Sequence, residues 1–251
     1  MGSVNRCVII FAMILFALLG LLVGALLNLV ADQVPFRWPL GRPRCPYCGG
    51  EFTFWEWLPL LSLVRRCSHC GASLPLRRPL LEMGTLLAFV LLWLYYGPGL
   101  QLLLVASYTC ILLLVLVADL EHRLIPNPII LPAILIAGVG GSLQRGPLPT
   151  LAGGAIGFAS FYLIALARKG GMGGGDVKLA AFIGLASGLP AVLVALIAAI
   201  LLGGVAALIL VVTRVRGLKS YIPYGPFLVA GGFLAILYGP QIVAWYLALY
   251  G

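Results

Sequence analysis

Charge is what this chain has least of. Only 9% of its 251 residues are Asp, Glu, Lys or Arg, and only seven of those are acidic. That scarcity, with 62% hydrophobic residues and a mean hydropathy of +1.12, excludes an ordinary soluble domain. The sequence also lacks an internal repeat, two similar halves and a glycine-rich nucleotide fingerprint. The far end of its first apolar run, Ala-Leu-Leu-Asn-Leu-Val-Ala-Asp, has no small-residue cleavage site. That run therefore reads as a retained anchor rather than a removable signal.

Long apolar runs are what the chain has instead. A spanning helix needs roughly 20 apolar residues, and candidate runs lie at 7–31, 80–96, 100–118, 128–143, 151–167, 177–189, 190–213 and 227–249. The expected fold is an all-α polytopic membrane protein of about eight transmembrane helices. The sixth run is short for a crossing and reads as tilted, re-entrant or joined to its neighbour through Gly188-Leu189-Pro190. Lys and Arg set orientation. With the segment after the first run in the cytoplasm, 14 of the 16 basic residues fall on that side, both termini lie outside, and only Arg6 and Arg145 stand opposite. The net charge of +9 is then topological. Anionic membrane lipid is a sufficient partner for it, and nucleic acid need not be invoked.

One sizeable polar insert interrupts the runs. It divides the chain into a first helix (1–31), a small cytoplasmic domain (32–79) and a helical membrane domain (80–251). Within the insert, Phe54, Trp55 and Trp57, beside Leu58, Leu60 and Leu61, read as a small core or a membrane-interface contact. Cys45-Pro46-Tyr47-Cys48-Gly49 and Cys67-Ser68-His69-Cys70-Gly71 are two Cys-x-x-Cys pairs separated by 18 residues. This is the spacing of a tetrahedral four-cysteine site for zinc, or for iron in its place, with a glycine after each pair for the tight turn. A cytoplasmic location argues against two disulfides, and the duplication argues against a redox pair. Four thiolates leave no open coordination position, so the expected metal is structural and supplies folding energy to a segment with little core. His69 reads as a bystander, and Cys7 and Cys110 as packing residues.

Two aspartates are the costliest residues to keep. Asp119 follows the run 100–118, and Asp176 follows Gly173-Gly174-Gly175. An ionisable group at membrane depth or its edge is expensive unless solvated or paired, so it is a functional hypothesis by default. The charge argument sets both at the cytoplasmic rim. Two carboxyl groups that meet there can share one proton and supply acid and base together, with pKa values that belong to the pair. The stretch 168–175 carries five glycines and is expected to be a loop. Gly173 and Gly175 would let backbone approach an extended substrate and let the loop move. The competing reading is that each aspartate caps a helix or pairs with Lys178 or Arg123. Glu121 and His122 read as solvated interface residues.

Taken in order, these motifs resemble the type IV prepilin peptidase family, bacterial membrane aspartic proteases with a G-x-G-D motif. The resemblance runs nearly end to end. It takes in Asn28, the two cysteine pairs, Arg78-Pro79-Leu80-Leu81-Glu82, and Asp119 with Leu124-Ile125-Pro126-Asn127. It continues through Gly173-Gly174-Gly175-Asp176-Val177-Lys178-Leu179 and Pro223-Tyr224-Gly225-Pro226-Phe227-Leu228. It implies a bifunctional enzyme of the bacterial inner membrane. One activity cuts the basic leader from type IV prepilins or pseudopilins at the cytoplasmic face, and the other methylates the new N-terminus with S-adenosylmethionine. It implies that Asp119 and Asp176 are the peptidase aspartates. It also implies that Cys45, Cys48, Cys67 and Cys70 hold zinc in the part associated with methyl transfer. No motif marks the S-adenosylmethionine site. Glu82 is the candidate, beside a bland interfacial reading.

Two other readings share some of these features. A presenilin or signal-peptide-peptidase type of protease uses the same carboxyl chemistry, but needs no four-cysteine insert and carries a Pro-Ala-Leu run absent here. A proton-coupled transporter uses membrane carboxylates as relays, but sets them near the midplane in broken helices.

Overall fold

The computed structural model describes residues 2–33, 42, 44–45, 47–52, 66–73, 75–167, 173–213 and 224–249. Among them the regular structure is helical: α1 (Gly2–Gln33), α2 (Arg77–Tyr96), α3 (Leu100–His122), α4 (Asn127–Arg145), α5 (Pro147–Ala167), α6 (Gly174–Ser187), α7 (Ala191–Val212) and α8 (Gly225–Ala248). Two isolated antiparallel bridges, Arg44 with Glu51 and Arg66 with Ser73, complete it. Seven of these eight helices are long and apolar enough to cross a bilayer. The exception is α6, with 14 residues. At 1.5 Å per residue it is about 21 Å long, against a hydrocarbon core of roughly 30 Å. The chain is an all-α polytopic membrane protein.

The expected aromatic cluster of Phe54, Trp55 and Trp57 with Leu58, Leu60 and Leu61 lies outside the described residues. So do residues 168–172, Pro223 and the basic residues Arg37, Arg65, Arg168, Lys169, Arg214, Arg216 and Lys219.

The chain forms two compact units, Met1–Cys110 and Ile111–Gly251. In the first, α1 and α2 run antiparallel. Phe16 stacks on Trp93 with ring centroids 4.6 Å apart, Gly20 faces Leu86, Gly24 faces Glu82, and Asn28 faces Arg78. A Cβ on Gly20 would lie 2.7 Å from the Leu86 Cα, and one on Gly24 equally near the Glu82 Cα. The two glycines therefore set how closely the helices approach. Asp32, expected to open the polar insert, is still helical and pairs with both Arg77 and Arg78.

The second unit is built around α6. Every α6 residue from Asp176 to Ser187 except Lys178 is buried. A helix that is apolar all round has no outward face and is stable only when enclosed. Glycines make the enclosure tight. A Cβ on Gly153 of α5 would come 2.7 Å from the Gly188 backbone, and one on Gly184 of α6 would come as near the Gly153 backbone. On the other sides, Gly141 of α4 faces the Leu185 carbonyl and Gly232 of α8 faces Ile183. The large side chains left exposed, such as Leu135, Leu163, Leu201 and Leu208, lie on the spanning helices α4, α5 and α7.

Candidate active site and metal centre

The four expected metal ligands come together. The sulfurs of Cys45, Cys48, Cys67 and Cys70 all lie within 4.8 Å of one another, with Cys45 to Cys70 at 3.9 Å and Cys48 to Cys67 at 3.8 Å. The two halves share one local plan. The Cys45 N–H donates to the Gly50 carbonyl and the Gly49 N–H to the Cys45 carbonyl; the Cys67 and Gly71 N–H groups do the same with Ala72 and Cys67. Gly49 and Gly71 have φ of +71° and +68°, the left-handed turn that a Cβ makes costly. The sulfurs are far too distant for S–S bonds, and the cysteines are free. Four thiolates about 2.3 Å from a tetrahedral ion stand about 3.8 Å apart, so this donor set fits a metal.

Charge points the same way. The backbone N–H groups of Cys70 and then His69 favour the Cys67 thiolate and bring it down to about 7. Cys48 has the Gly50 N–H in its favour, yet loss of water and the surrounding sulfurs push it up to about 12. The opposed shifts of Cys48 and Cys67 are a conflict that a dication resolves. Phe52 closes the cluster from below, buried with Cys45 and Cys67, and the Arg78 guanidinium lies 4.8 Å from its ring centroid. His69 packs against Gly50 and is not among the clustered ligands.

Glu82 is no exposed interfacial group. It is 4% exposed, and its Oε1 lies 3.4 Å from the Asn28 amide nitrogen. Asn28, equally buried, gives that nitrogen to the Arg78 carbonyl as well, and its own Oδ1 has no hydrogen-bond partner among the described residues.

Asp119 lies in the last turn of α3, because that helix runs past its expected end to His122 and stops at Arg123, with φ of 52°. Asp176 lies in the first turn of α6. Each is 6% exposed. Burial first, and then the nearby Asp119 carboxylate, push the Asp176 carboxyl up to about 6, against the pull of the Gly173 N–H. The Asp119 Oδ2 is buried with no hydrogen-bond partner among the described residues. A Cβ on Gly225, at the start of α8, would overlap that carboxylate.

The glycine run is only partly a loop. Gly174 and Gly175 are helical, contrary to the expectation, because they occupy first-turn positions whose N–H groups need no partner within the helix. The Asp176 N–H donates to the Gly173 carbonyl at 3.1 Å, a backbone bond of the first turn. The Gly173 N–H supports the Asp176 carboxylate, which is one half of a capping box, since the N-cap glycine has no side chain to complete it. Asp176 is thus a capping residue as well as a buried acid. Gly173 has an extended conformation that any residue adopts, whereas a Cβ on Gly175 would come 2.9 Å from Ile125. Lys178 does not pair with either aspartate; its Nζ donates to the Asn127 Oδ1 at 2.7 Å. Glu121 and His122 stand 3.8 Å apart near the surface.

Tyr224 and Gly225 had no role in the sequence reading, although their motif was noted. The Tyr224 ring lies 5.7 Å from Phe161 and 6.0 Å from Phe227. Burial, and then the Asp176 charge, raise its hydroxyl above the usual value. A glycine standing just before the helix-opening Pro226 was the available signal. Ile125 and Asn127 were likewise noted only as part of a motif, since their individual part depends on long-range packing.

Fold and site define a polytopic helical membrane protein that buries two carboxyl groups near enough to interact by charge and gathers four cysteines in a separate knuckle. A model of the Type IV leader peptidase family matches residues 106–208, and one of the Bacterial Peptidase A24 N-terminal domain matches residues 18–96. The chain is 31% identical to a Prepilin leader peptidase/N-methyltransferase of Pseudomonas putida, over 94% of each chain. It is 30% identical to one of Bacillus subtilis, over 92% of this chain and 96% of that one. A third, of Pseudomonas aeruginosa, is 32% identical over 93% of each. No solved structure matches. The chain belongs to the type IV leader peptidase family.

If Asp119 helps to hold the Asp176 proton, Asp119→Asn should lower the Asp176 carboxyl from about 6 toward its ordinary 3.8. The protonated-carboxyl infrared band, followed against pH with Asp176→Asn as the blank, reports this midpoint. A midpoint that Asp119→Asn leaves in place would mean that the two groups do not interact.

Proposed function

We propose that this chain is a membrane aspartic endopeptidase that removes the leader from type IV prepilins or pseudopilins and then methylates the new N-terminus. The observation that carries the reading is the burial of Asp119 beside Asp176, in a chain of the type IV leader peptidase family. Two adjacent carboxyl groups cannot both ionise readily, so the pair keeps one proton. The ionised member takes a proton from water, whose oxygen attacks the scissile carbonyl carbon. The protonated member gives its proton to the carbonyl oxygen. As the C–N bond breaks, the proton taken from water passes to the leaving amine, and a hydroxyl proton of the tetrahedral intermediate returns to the other carboxylate, so the pair again holds one proton.

The surroundings suit that task. Gly225 leaves room for the Asp119 carboxylate, and the Asn127 to Lys178 hydrogen bond with the Ile125 to Gly175 contact ties the α3–α4 turn to the start of α6. The bias of Lys and Arg supports a cytoplasmic position for both aspartates in an inner membrane, where a basic leader would meet them. The presenilin-type and transporter readings are not favoured, since the family matches take in both the N-terminal and the peptidase segments.

The four cysteines would hold a structural zinc ion, which binds the two halves of a segment with little core of its own. S-adenosylmethionine, when bound, supplies the methyl group for the new amine. Glu82 and the unpartnered Asn28 Oδ1 form a buried acceptor pair suited to a cationic donor or amine. We retain the division of labour into a first helix (1–31), a metal-holding segment associated with methyl transfer (32–79) and the peptidase bundle (80–251). Membrane lipid surrounds the spanning helices.

Asp119→Asn and Asp176→Asn should each remove cleavage of a prepilin almost completely while the protein stays folded, because an amide cannot share the proton. Gly225→Ala should slow cleavage strongly by displacing the Asp119 carboxylate, and Glu121→Gln should retain most activity. Substantial cleavage by either asparagine variant, read by mass, rules out the pair.

The metal is tested separately. Purified protein should carry about one zinc per chain, and Cys45→Ser or Cys70→Ser should lose it and expose the segment around 42–75 to added protease. Cleavage that stops at once on chelation and returns at once with zinc would instead mean that the metal takes part in hydrolysis.

A further inference from the structure

Arg145 is one of two basic residues that the charge bias leaves on the wrong side, and nothing in the proposed reaction uses it. It ends α4, and its side chain is half-buried against the far end of α6. The Nη2 donates to the Leu185 carbonyl at 3.0 Å and to the Ala186 carbonyl at 2.8 Å. Both carbonyls belong to the last turn of α6, where no further helical N–H reaches them. The next candidate donor, the Leu189 N–H, goes instead to the Pro149 carbonyl. Space is cleared for the guanidinium. A Cβ on Gly141 would lie 2.8 Å from the Nη2, and one on Gly188 2.8 Å from the Nε. A guanidinium bound to the negative end of a buried helix is favourable in charge as well as in hydrogen bonding.

We propose that Arg145 is a positioning residue for the aspartate pair: by clamping the last turn of α6 it fixes the axial position of that helix and hence the depth of Asp176 against Asp119. This inference rests on the aspartate reading given above. α6 is too short to be held by matching the bilayer, so its position has to come from attachments at its ends and sides. Its contacts with α5 through Gly153, Gly157 and Gly184 bring backbones close but, among the described residues, offer no hydrogen bond from a side chain of α5. Arg145 supplies a directional one. Leu185 is nine residues beyond Asp176, about 14 Å along a rigid helix, and an axial slip at one end is passed to the other undiminished. Reacting groups displaced by about 1 Å lose on the order of a hundredfold in rate.

The test uses the full chain in detergent or nanodiscs, with a leader-bearing prepilin peptide as substrate and a thermal transition as the check of folding. Arg145→Met should lower kcat about ten- to a hundredfold while KM stays within about twofold, because the register of the pair is lost and ground-state binding is not. Arg145→Lys, which keeps the charge and reaches one carbonyl, should recover most of the rate. A folded Arg145→Met with kcat near the parent value, a loss that falls entirely in KM, or a lysine variant no better than methionine would each overturn the proposal. Should Arg145→Met fail to fold, Arg145→Gln takes its place in the same comparison with Arg145→Lys. Asp176→Asn is measured alongside. If it still cleaves, the aspartate reading has failed; if it is inactive while Arg145→Met works normally, only the positioning role has.

Discussion

The peptidase unit depends on the backbone contact between α5 and α6. Gly153 and Gly184 lie so close that a Cβ on either would strike the other's backbone. That closeness is what allows α6, a helix of 14 residues with no exposed face, to sit inside the unit rather than at its surface. Burying α6 from Asp176 onward buries that carboxyl group with it. A carboxyl group in that position resists ionisation, first because water is excluded and then because Asp119 is beside it. Packing, burial and proton affinity are thus one chain of cause. A bulkier residue at Gly153 or Gly184 would act on the chemistry only through this route.

The cysteine knuckle follows a different logic. Its core among the described residues is Phe52 with Cys45 and Cys67, too little to fold on hydrophobic burial alone. Two turns of the same plan, each with a glycine at positive φ, set four sulfurs at the spacing of a tetrahedral ion. Arg78 links this knuckle to the helix pair, because it lies over the Phe52 ring and also pairs with Asp32 at the end of α1. Through Arg78 the proposed metal site is thus coupled to the polar ends of α1 and α2.

Much of this was legible in the sequence, for physical reasons. Apolar runs and basic loops are set by the bilayer, so the helices and the short sixth run could be read directly. The cysteine spacing carried its own geometry. The misreadings lie where local propensity meets tertiary packing. Gly174 and Gly175 read as loop, yet they start a helix because Asp176 caps it and its body is enclosed. Asp119 read as just outside its helix, yet α3 continues for three more residues. Lys178, an aspartate's partner only in the competing reading, reaches Asn127, which is distant in sequence. Gly225 and Arg145 make their contacts with residues on other helices, and although Gly225 lies in a noted motif, nothing in the sequence marks which residues they meet.

The central claim is that Asp119 and Asp176 work as one unit holding one proton. The most direct measurement is a double-mutant cycle on cleavage rate, comparing Asp119→Asn, Asp176→Asn and the double variant with the parent. Groups that act as a unit are strongly non-additive, so the double variant should be no slower than the poorer single variant. Losses that multiply would mean two independent contributions, and would contradict the shared proton.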